Sequence, residues 1–137
     1  MRAAILLLLT GLLARAGDLV VIVNPASGVE RLRREEVVNL FLGRTRQLPS
    51  GLPALPLDQG PEAPNRARFY RDLVSKELPD INAYWARLLF SGQATPPRQI
   101  ASEADLLDFV RTHPGAIAYV DRAKADRRVR IVFEFNP

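Results

Sequence analysis

The stretch Leu19-Val20-Val21-Ile22-Val23-Asn24-Pro25 decides the fold class of this chain. Its first five residues are apolar, and all but the first are β-branched, which is typical of a strand that is buried on both faces. Such a strand belongs in a sheet that helices cover on both sides. The sequence therefore predicts an α/β protein, with Asn24-Pro25 ending the first strand.

Helical patterns fill the middle of the chain. Apolar residues recur at helical spacing over 35–42 and 65–74, in a helix opened by Pro79-Asp80, and in a helix that follows Ser102. Asn65 and Ser102 are expected to cap their helices. Further strands are predicted at 54–57, 116–120 and 129–135, the last two as an antiparallel pair. We expect one domain over residues 17–137, with a mixed central sheet flanked by helices.

The first 16 residues have the pattern of a signal peptide. A basic start at Arg2 precedes the apolar run 3–13, and Ala14-Arg15-Ala16 is a small-x-small cleavage site. The apolar run is too short to span a bilayer, which takes about 20 residues. We expect cleavage after Ala16 and a periplasmic location.

Composition excludes several functional classes. Residues 17–137 carry 17 basic and 15 acidic side chains, and this net charge of +2 gives no case for nucleic-acid binding. The chain has no cysteine and one histidine, His113, so cysteine-ligated and multi-histidine metal sites are excluded. No nucleophile–base arrangement and no phosphate-binding glycine loop is visible. We predict no enzymatic activity, no catalytic residue, no metal and no cofactor.

Arg66 is the most informative charged residue. It falls in the first turn of the predicted helix 65–74, where unpaired backbone N–H groups and the helix dipole favour an anion. A guanidinium fork there could hold phosphate or sulfate through two hydrogen bonds. A salt bridge or a solvated side chain is the alternative.

The aromatic residues of the third predicted helix have two interpretations. Tyr84, Trp85 and Phe90 could form a platform on which a ligand stacks. Their helical spacing beside Leu88 and Leu89 favours packing in the core instead. His113 ends the following helix, and we expect it to serve that helix end.

Four segments in fixed order carry a resemblance to a known family. The segments are Val21-Ile22-Val23-Asn24-Pro25, Glu36-Val37-Val38-Asn39-Leu40-Phe41-Leu42-Gly43, Ala83-Tyr84-Trp85-Ala86-Arg87-Leu88-Leu89-Phe90-Ser91-Gly92 and Pro114-Gly115-Ala116-Ile117-Ala118-Tyr119-Val120. With them, the chain resembles the small, single-lobe proteins of the type 2 periplasmic-binding superfamily, which are similar to phosphate transporter substrate-binding proteins. The resemblance runs from Leu19 to Phe135.

This resemblance implies a single three-layer lobe that recognises phosphate or a similar oxyanion for transport or sensing. Arg66 would bear the charge and Asn65 would assist it, with Asn24 and Ser27 as weaker candidates from a neighbouring loop. Full-length phosphate-binding proteins carry a Ser-Gly-Thr turn where this chain reads 58–66 without one.

A single lobe supplies only half of a cleft, whereas small-ligand sites bury most of the ligand. A second copy of the chain or a partner protein is therefore expected to cover the anion. The alternative function is a ligand-free interaction module that docks on a periplasmic sensor or on a transporter component.

Overall fold

The structure, a computed structural model, describes residues 17–137. The expected signal peptide at residues 1–16 lies outside this range. Within it, no helix is long and apolar enough to cross a membrane. The described chain forms five strands and four α-helices, in the order β1 (Leu19–Val23), α1 (Arg34–Phe41), β2 (Leu55–Gln59), α2 (Pro64–Val74), α3 (Leu78–Phe90), β3 (Arg98–Ile100), α4 (Glu103–Thr112), β4 (Ala116–Asp121) and β5 (Arg130–Glu134).

The five strands form one mixed sheet, as predicted, in the order β3-β2-β4-β1-β5. β2 runs parallel to β3 and β4, whereas β1 runs antiparallel to β4 and to β5. The predicted antiparallel pairing of the last two strands is wrong, because β1 lies between them. Every residue of β1 is buried. This is because β1 lies between two paired strands and between helices on both faces of the sheet. The short strand β3 was not predicted, since Arg98-Gln99-Ile100 has no apolar alternation.

Helices cover both faces of the sheet. Leu19, Val21 and Val23 of β1 face one core, to which α1, α2 and α3 contribute. Val20 and Ile22 face the second core, which α4 closes with Leu106, Leu107 and Val110. The expected three-layer α/β lobe is confirmed.

Of the two helix caps predicted from the sequence, the structure confirms one. Ser102 caps α4, because its Oγ accepts a hydrogen bond from the backbone N–H of Asp105. The predicted cap by Asn65 is wrong: α2 begins at Pro64, after Ala63. Proline suits the first helical position because the N–H it lacks would have no partner within the helix.

The aromatic residues of α3 divide between core and surface. Trp85 is buried, and the Tyr84 hydroxyl donates a hydrogen bond to the carbonyl of Leu42 at 2.6 Å. Phe90 is 97% exposed, so its predicted place in the core is wrong. It is the last residue of α3, beyond the stripe of Ile81 and Trp85 that faces the sheet.

The turn from α4 to β4 brings two backbone segments into close contact. His113 ends α4, where its ring stacks on Phe109 at 3.7 Å between centroids. Two residues later, the carbonyl of Gly115 accepts a hydrogen bond from the N–H of Leu55 at the start of β2. A Cβ atom added to Gly115 would lie 2.2 Å from the carbonyl oxygen of Pro53. Only glycine permits this approach, which sets the register between β2 and β4.

Gly115→Ala is expected to lower the free energy of unfolding by about 1–3 kcal/mol, because the added methyl group meets backbone that cannot move cheaply. Gly60→Ala is the matched control, since a Cβ there meets Ala101 at an ordinary 3.6 Å. Urea unfolding of both variants, followed by circular dichroism, measures the difference. Equal stability of the two variants would contradict the close-approach explanation.

Candidate functional site

A buried carboxylate organises the edge of the sheet at which β2 ends. Asp58, in β2, is only 2% exposed. Its Oδ2 accepts hydrogen bonds from Nε of Arg66 at 3.1 Å and from the hydroxyl of Tyr70 at 2.8 Å. Its Oδ1 accepts from the hydroxyl of Tyr119 and from the backbone N–H of Gln59 at 2.9 Å. All four donors are therefore directed at one carboxylate, which fixes α2 on β2 and β4.

Arg66 is the cationic half of this cluster. Its side chain is 6% exposed and forms a salt bridge with Asp58. Its Nη2 donates to Oδ1 of Asn82, at the start of α3, at 3.3 Å. Among residues 17–137, Nη1 of Arg66 has no hydrogen-bond partner. The salt bridge that the sequence left open as an alternative is present, and one nitrogen of the fork stays available.

Burial and the Asp58 charge keep both tyrosines of the cluster protonated. Desolvation by burial is the largest cause that raises the pKa of Tyr70 and of Tyr119 well above its usual value. The neighbouring Asp58 carboxylate raises both pKa values further, through its charge and through the hydrogen bonds that the hydroxyls donate to it. The tyrosines are therefore donors to Asp58 and poor candidates for a proton-transfer group near neutral pH.

The first turn of α2 lies beside this cluster. Ala63 occupies the N-cap position, and no side chain of residues 17–137 caps this turn. The N–H of Arg66 bonds to the carbonyl of Ala63 at 3.0 Å. The side chain of Asn65 donates to Oδ2 of Asp121, at the end of β4, at 3.2 Å. The amino end of α2, with the positive end of its helix dipole, thus lies at the carboxyl ends of strands β2 and β4.

Asn24 and Ser27 lie at the opposite edge of the sheet, because β1 runs antiparallel to β4. Nδ2 of Asn24 donates to the carbonyl of Val110 at 2.8 Å, which ties the end of β1 to the end of α4. Oγ of Ser27 accepts from the N–H of Val29 at 3.1 Å. A strand of five residues spans roughly 13 Å, so the structure does not bring these two residues to Arg66.

The charges around the amino end of α2 are balanced. Arg68 approaches Asp121, with Nη1 and Oδ1 3.8 Å apart, and both side chains are partly buried. Together with the Asp58–Arg66 pair this makes two cations and two carboxylates. An anion at this edge would therefore gain hydrogen bonds and the helix dipole, but little net positive charge.

Sequence reasoning missed the partners of Arg66. Asp58 lies one residue beyond the predicted strand 54–57, whereas in the structure it belongs to β2. Two signals were available: Tyr70 lies four residues after Arg66 on the same helix face, and Tyr119 lies inside the apolar segment 116–120. A buried tyrosine hydroxyl needs a hydrogen-bond partner, so both pointed to a buried acceptor.

In its fold, this chain is similar to solved phosphate receptors and substrate-binding proteins. Comparison with solved structures finds an ABC-type phosphate transport receptor from Vibrio cholerae, with a TM-score of 0.67 and 14% sequence identity. PstS from Borrelia burgdorferi matches with a TM-score of 0.64 and 11% identity. A protein from Clostridium perfringens, assigned as a phosphate ABC transporter substrate-binding protein and solved with bound phosphate, matches with a TM-score of 0.65 and 13% identity.

The matches extend over most of this chain and over less than half of the solved proteins. Each covers 85% of this chain, but only 44–46% of the other chain. The fold is therefore that of a single lobe of such a binding protein, as the sequence resemblance implied. Neither a protein-family model nor a curated protein sequence matches the chain.

Replacing Arg66 by methionine is expected to lower the free energy of unfolding by about 3–5 kcal/mol, since it leaves a buried carboxylate without its cation. The same replacement in an Asp58→Asn background should cost much less, because the amide carries no charge. Urea unfolding of the wild type, both single variants and the double variant measures this coupling. A cost of Arg66→Met that is independent of residue 58 would contradict the pairing.

Alkaline titration should show that Tyr70 and Tyr119 ionise only as the protein unfolds. Their pKa values are raised in the folded state, so the stability they contribute is complete below the ordinary tyrosine pKa of about 10 and is lost as the pH rises above it. Tyrosinate absorbance, recorded beside circular dichroism, follows both processes. Tyr70→Phe should remove one of the two delayed ionisations. Ionisation of both groups before the loss of secondary structure would contradict this.

Proposed function

We propose that this chain is an exported, non-enzymatic, solute-binding-like protein that recognises phosphate or a similar oxyanion at the amino end of α2. The observation that carries the proposal is the first turn of α2 in a lobe of phosphate-receptor fold: within residues 17–137 no side chain caps this turn, and Nη1 of its Arg66 has no hydrogen-bond partner. The neighbours are named as transport receptors and binding proteins, which supports a binding role. A periplasmic location follows from the signal-peptide pattern.

The proposed contacts are hydrogen bonds. Nη1 of Arg66 and the backbone N–H of Asn65 would donate to the oxyanion, and the helix dipole would favour its charge. Asp58 and Asn82 would hold the guanidinium in place, because they bind Nε and Nη2 and leave Nη1 open. Asn24 and Ser27 would take no part in this contact, since they lie at the opposite edge.

The binding surface would need a second surface to cover it. One lobe encloses only part of a small ligand, and enclosed sites bury most of the ligand. We propose that a second copy of the chain, or a transporter or sensor component, closes over the anion. Alone, the lobe is expected to bind weakly, because Asp58 and Asp121 offset the charges of Arg66 and Arg68.

Thermal unfolding with millimolar phosphate, with sulfate and chloride as controls, tests the proposal. Phosphate at about 100 times its dissociation constant should stabilise the protein by about 2.7 kcal/mol, which is a shift of several degrees in a domain of this size. Ala63→Asp should abolish the shift, because a carboxylate at the N-cap accepts the N–H of Asn65 and repels the anion. The same substitution should itself stabilise α2.

Ala26→Asp is the matched control, because it adds the same charge on an exposed residue at the opposite edge, beside Asn24. It should leave the phosphate shift unchanged. Loss of the shift in Ala26→Asp alone would place the anion at Asn24 and Ser27 instead. Absence of a shift with every anion would overturn the binding role and favour the ligand-free docking module.

A further inference from the structure

A groove of about 540 Å³ opens at the edge of the sheet where β2 and β3 begin. Trp85 and Leu89 of α3 line one side, and Leu55 and Pro56 of β2 line another. The segment 94–97, which leads into β3, completes the wall. The amino end of α2 lies at the other edge of the sheet. The inference drawn from this groove is therefore independent of the oxyanion proposal.

Exposed apolar surface concentrates at this groove. Three large hydrophobic side chains are exposed in the described part of the chain: Leu55 at 42%, Leu89 at 57% and Phe90 at 97%. The first two line the groove, and Phe90 directly follows Leu89 at the end of α3. Large apolar side chains exposed at one groove favour a contact with another molecule there.

The charges at the groove are all of one sign. Arg46 and Arg98 line it, and no acidic residue of the described chain does. Neither arginine forms a salt bridge among residues 17–137, whereas seven others do: Arg33, Arg66, Arg68, Arg71, Arg111, Arg122 and Arg128. One nitrogen of Arg46 donates to the carbonyl of Gln93 at 2.9 Å, which holds the side chain beside the groove. The guanidinium of Arg98 lies over the ring of Phe109 at 5.2 Å.

Trp85 adds a buried donor. Its side chain is 6% exposed, and its indole Nε1 has no hydrogen-bond partner in the described chain. Buried polar groups of this type are nearly always paired, so Trp85, which lines the groove, holds a donor that lacks an acceptor in the described chain.

We propose that this groove binds an acidic peptide segment of another protein that places a large apolar side chain against Leu55 and Leu89. The concave apolar floor accommodates such a side chain, and carboxylates on the same segment complement Arg46 and Arg98. A bilayer surface fits less well, because a flat surface cannot fill a concave groove.

Tryptophan fluorescence reports on this groove directly, since Trp85 is the one tryptophan of the chain. The purified protein is titrated with the peptide Glu-Leu-Asp-Phe-Glu-Leu-Asp and with Lys-Leu-Lys-Phe-Lys-Leu-Lys. The acidic peptide should change the emission of Trp85 and bind more weakly as salt is added. The basic peptide should not bind. Equal binding of the two peptides, or no binding of the acidic one, would overturn the proposal.

Two double variants of equal charge locate the contact. Arg46→Gln with Arg98→Gln should weaken the acidic peptide at least about tenfold, as loss of central charged contacts does at interfaces. Arg31→Gln with Arg127→Gln removes the same charge from exposed residues elsewhere and should change little. Equal effects of both pairs would overturn the proposal. So would binding of anionic vesicles in place of the peptide, or a concentration-dependent dimer that alters Trp85 emission.

Discussion

The buried carboxylate of Asp58 is the interaction on which the arrangement of this lobe depends. A carboxylate removed from water costs several kcal/mol unless cations and hydrogen-bond donors compensate it. Asp58 obtains that compensation from Arg66 and Tyr70 of α2 and from Tyr119 of β4. Because each donor needs a hydrogen-bonding distance, α2 has one favourable position on the sheet. The stacking of Phe69 on Tyr119, with centroids 3.9 Å apart, reinforces this position.

The same constraint defines what Arg66 can contribute to ligand binding. Its charge is largely offset by Asp58, so an oxyanion at this edge meets a directed N–H group rather than a free cation. Directed donors and a helix dipole select for an anion but supply limited affinity. The proposed site would therefore be a weak half-site, and the match to the phosphate receptors covers 45–46% of their length.

Local sequence signals predicted the elements, and non-local contacts decided the rest. The apolar run of β1 and the stripes of α1 to α4 depend on residues close in sequence, so they could be predicted. The position of β1 between β4 and β5 depends on pairings across about a hundred residues, which periodicity does not encode. The sequence indicates Arg66 as a candidate anion ligand. Its pairing with Asp58 depends on how α2 packs on β2, which local patterns do not specify. Phe90 is exposed although its helical spacing predicts burial. Spacing indicates which face of a helix is apolar, but not how far along the helix that face contacts the sheet.

The two proposed surfaces both include residues of α3. α3 is 13 residues long. Near its start Asn82 accepts a hydrogen bond from Arg66, and near its end Leu89 lines the groove. A helix transmits a displacement of one end to the other only if it moves as a body, and Trp85 and Ile81 anchor its middle in the core. Since α3 is held at that anchor, a peptide in the groove would leave the Arg66–Asn82 contact in place. The proposed anion surface and the proposed peptide surface lie at opposite ends of the strands, so each would be available while the other is occupied.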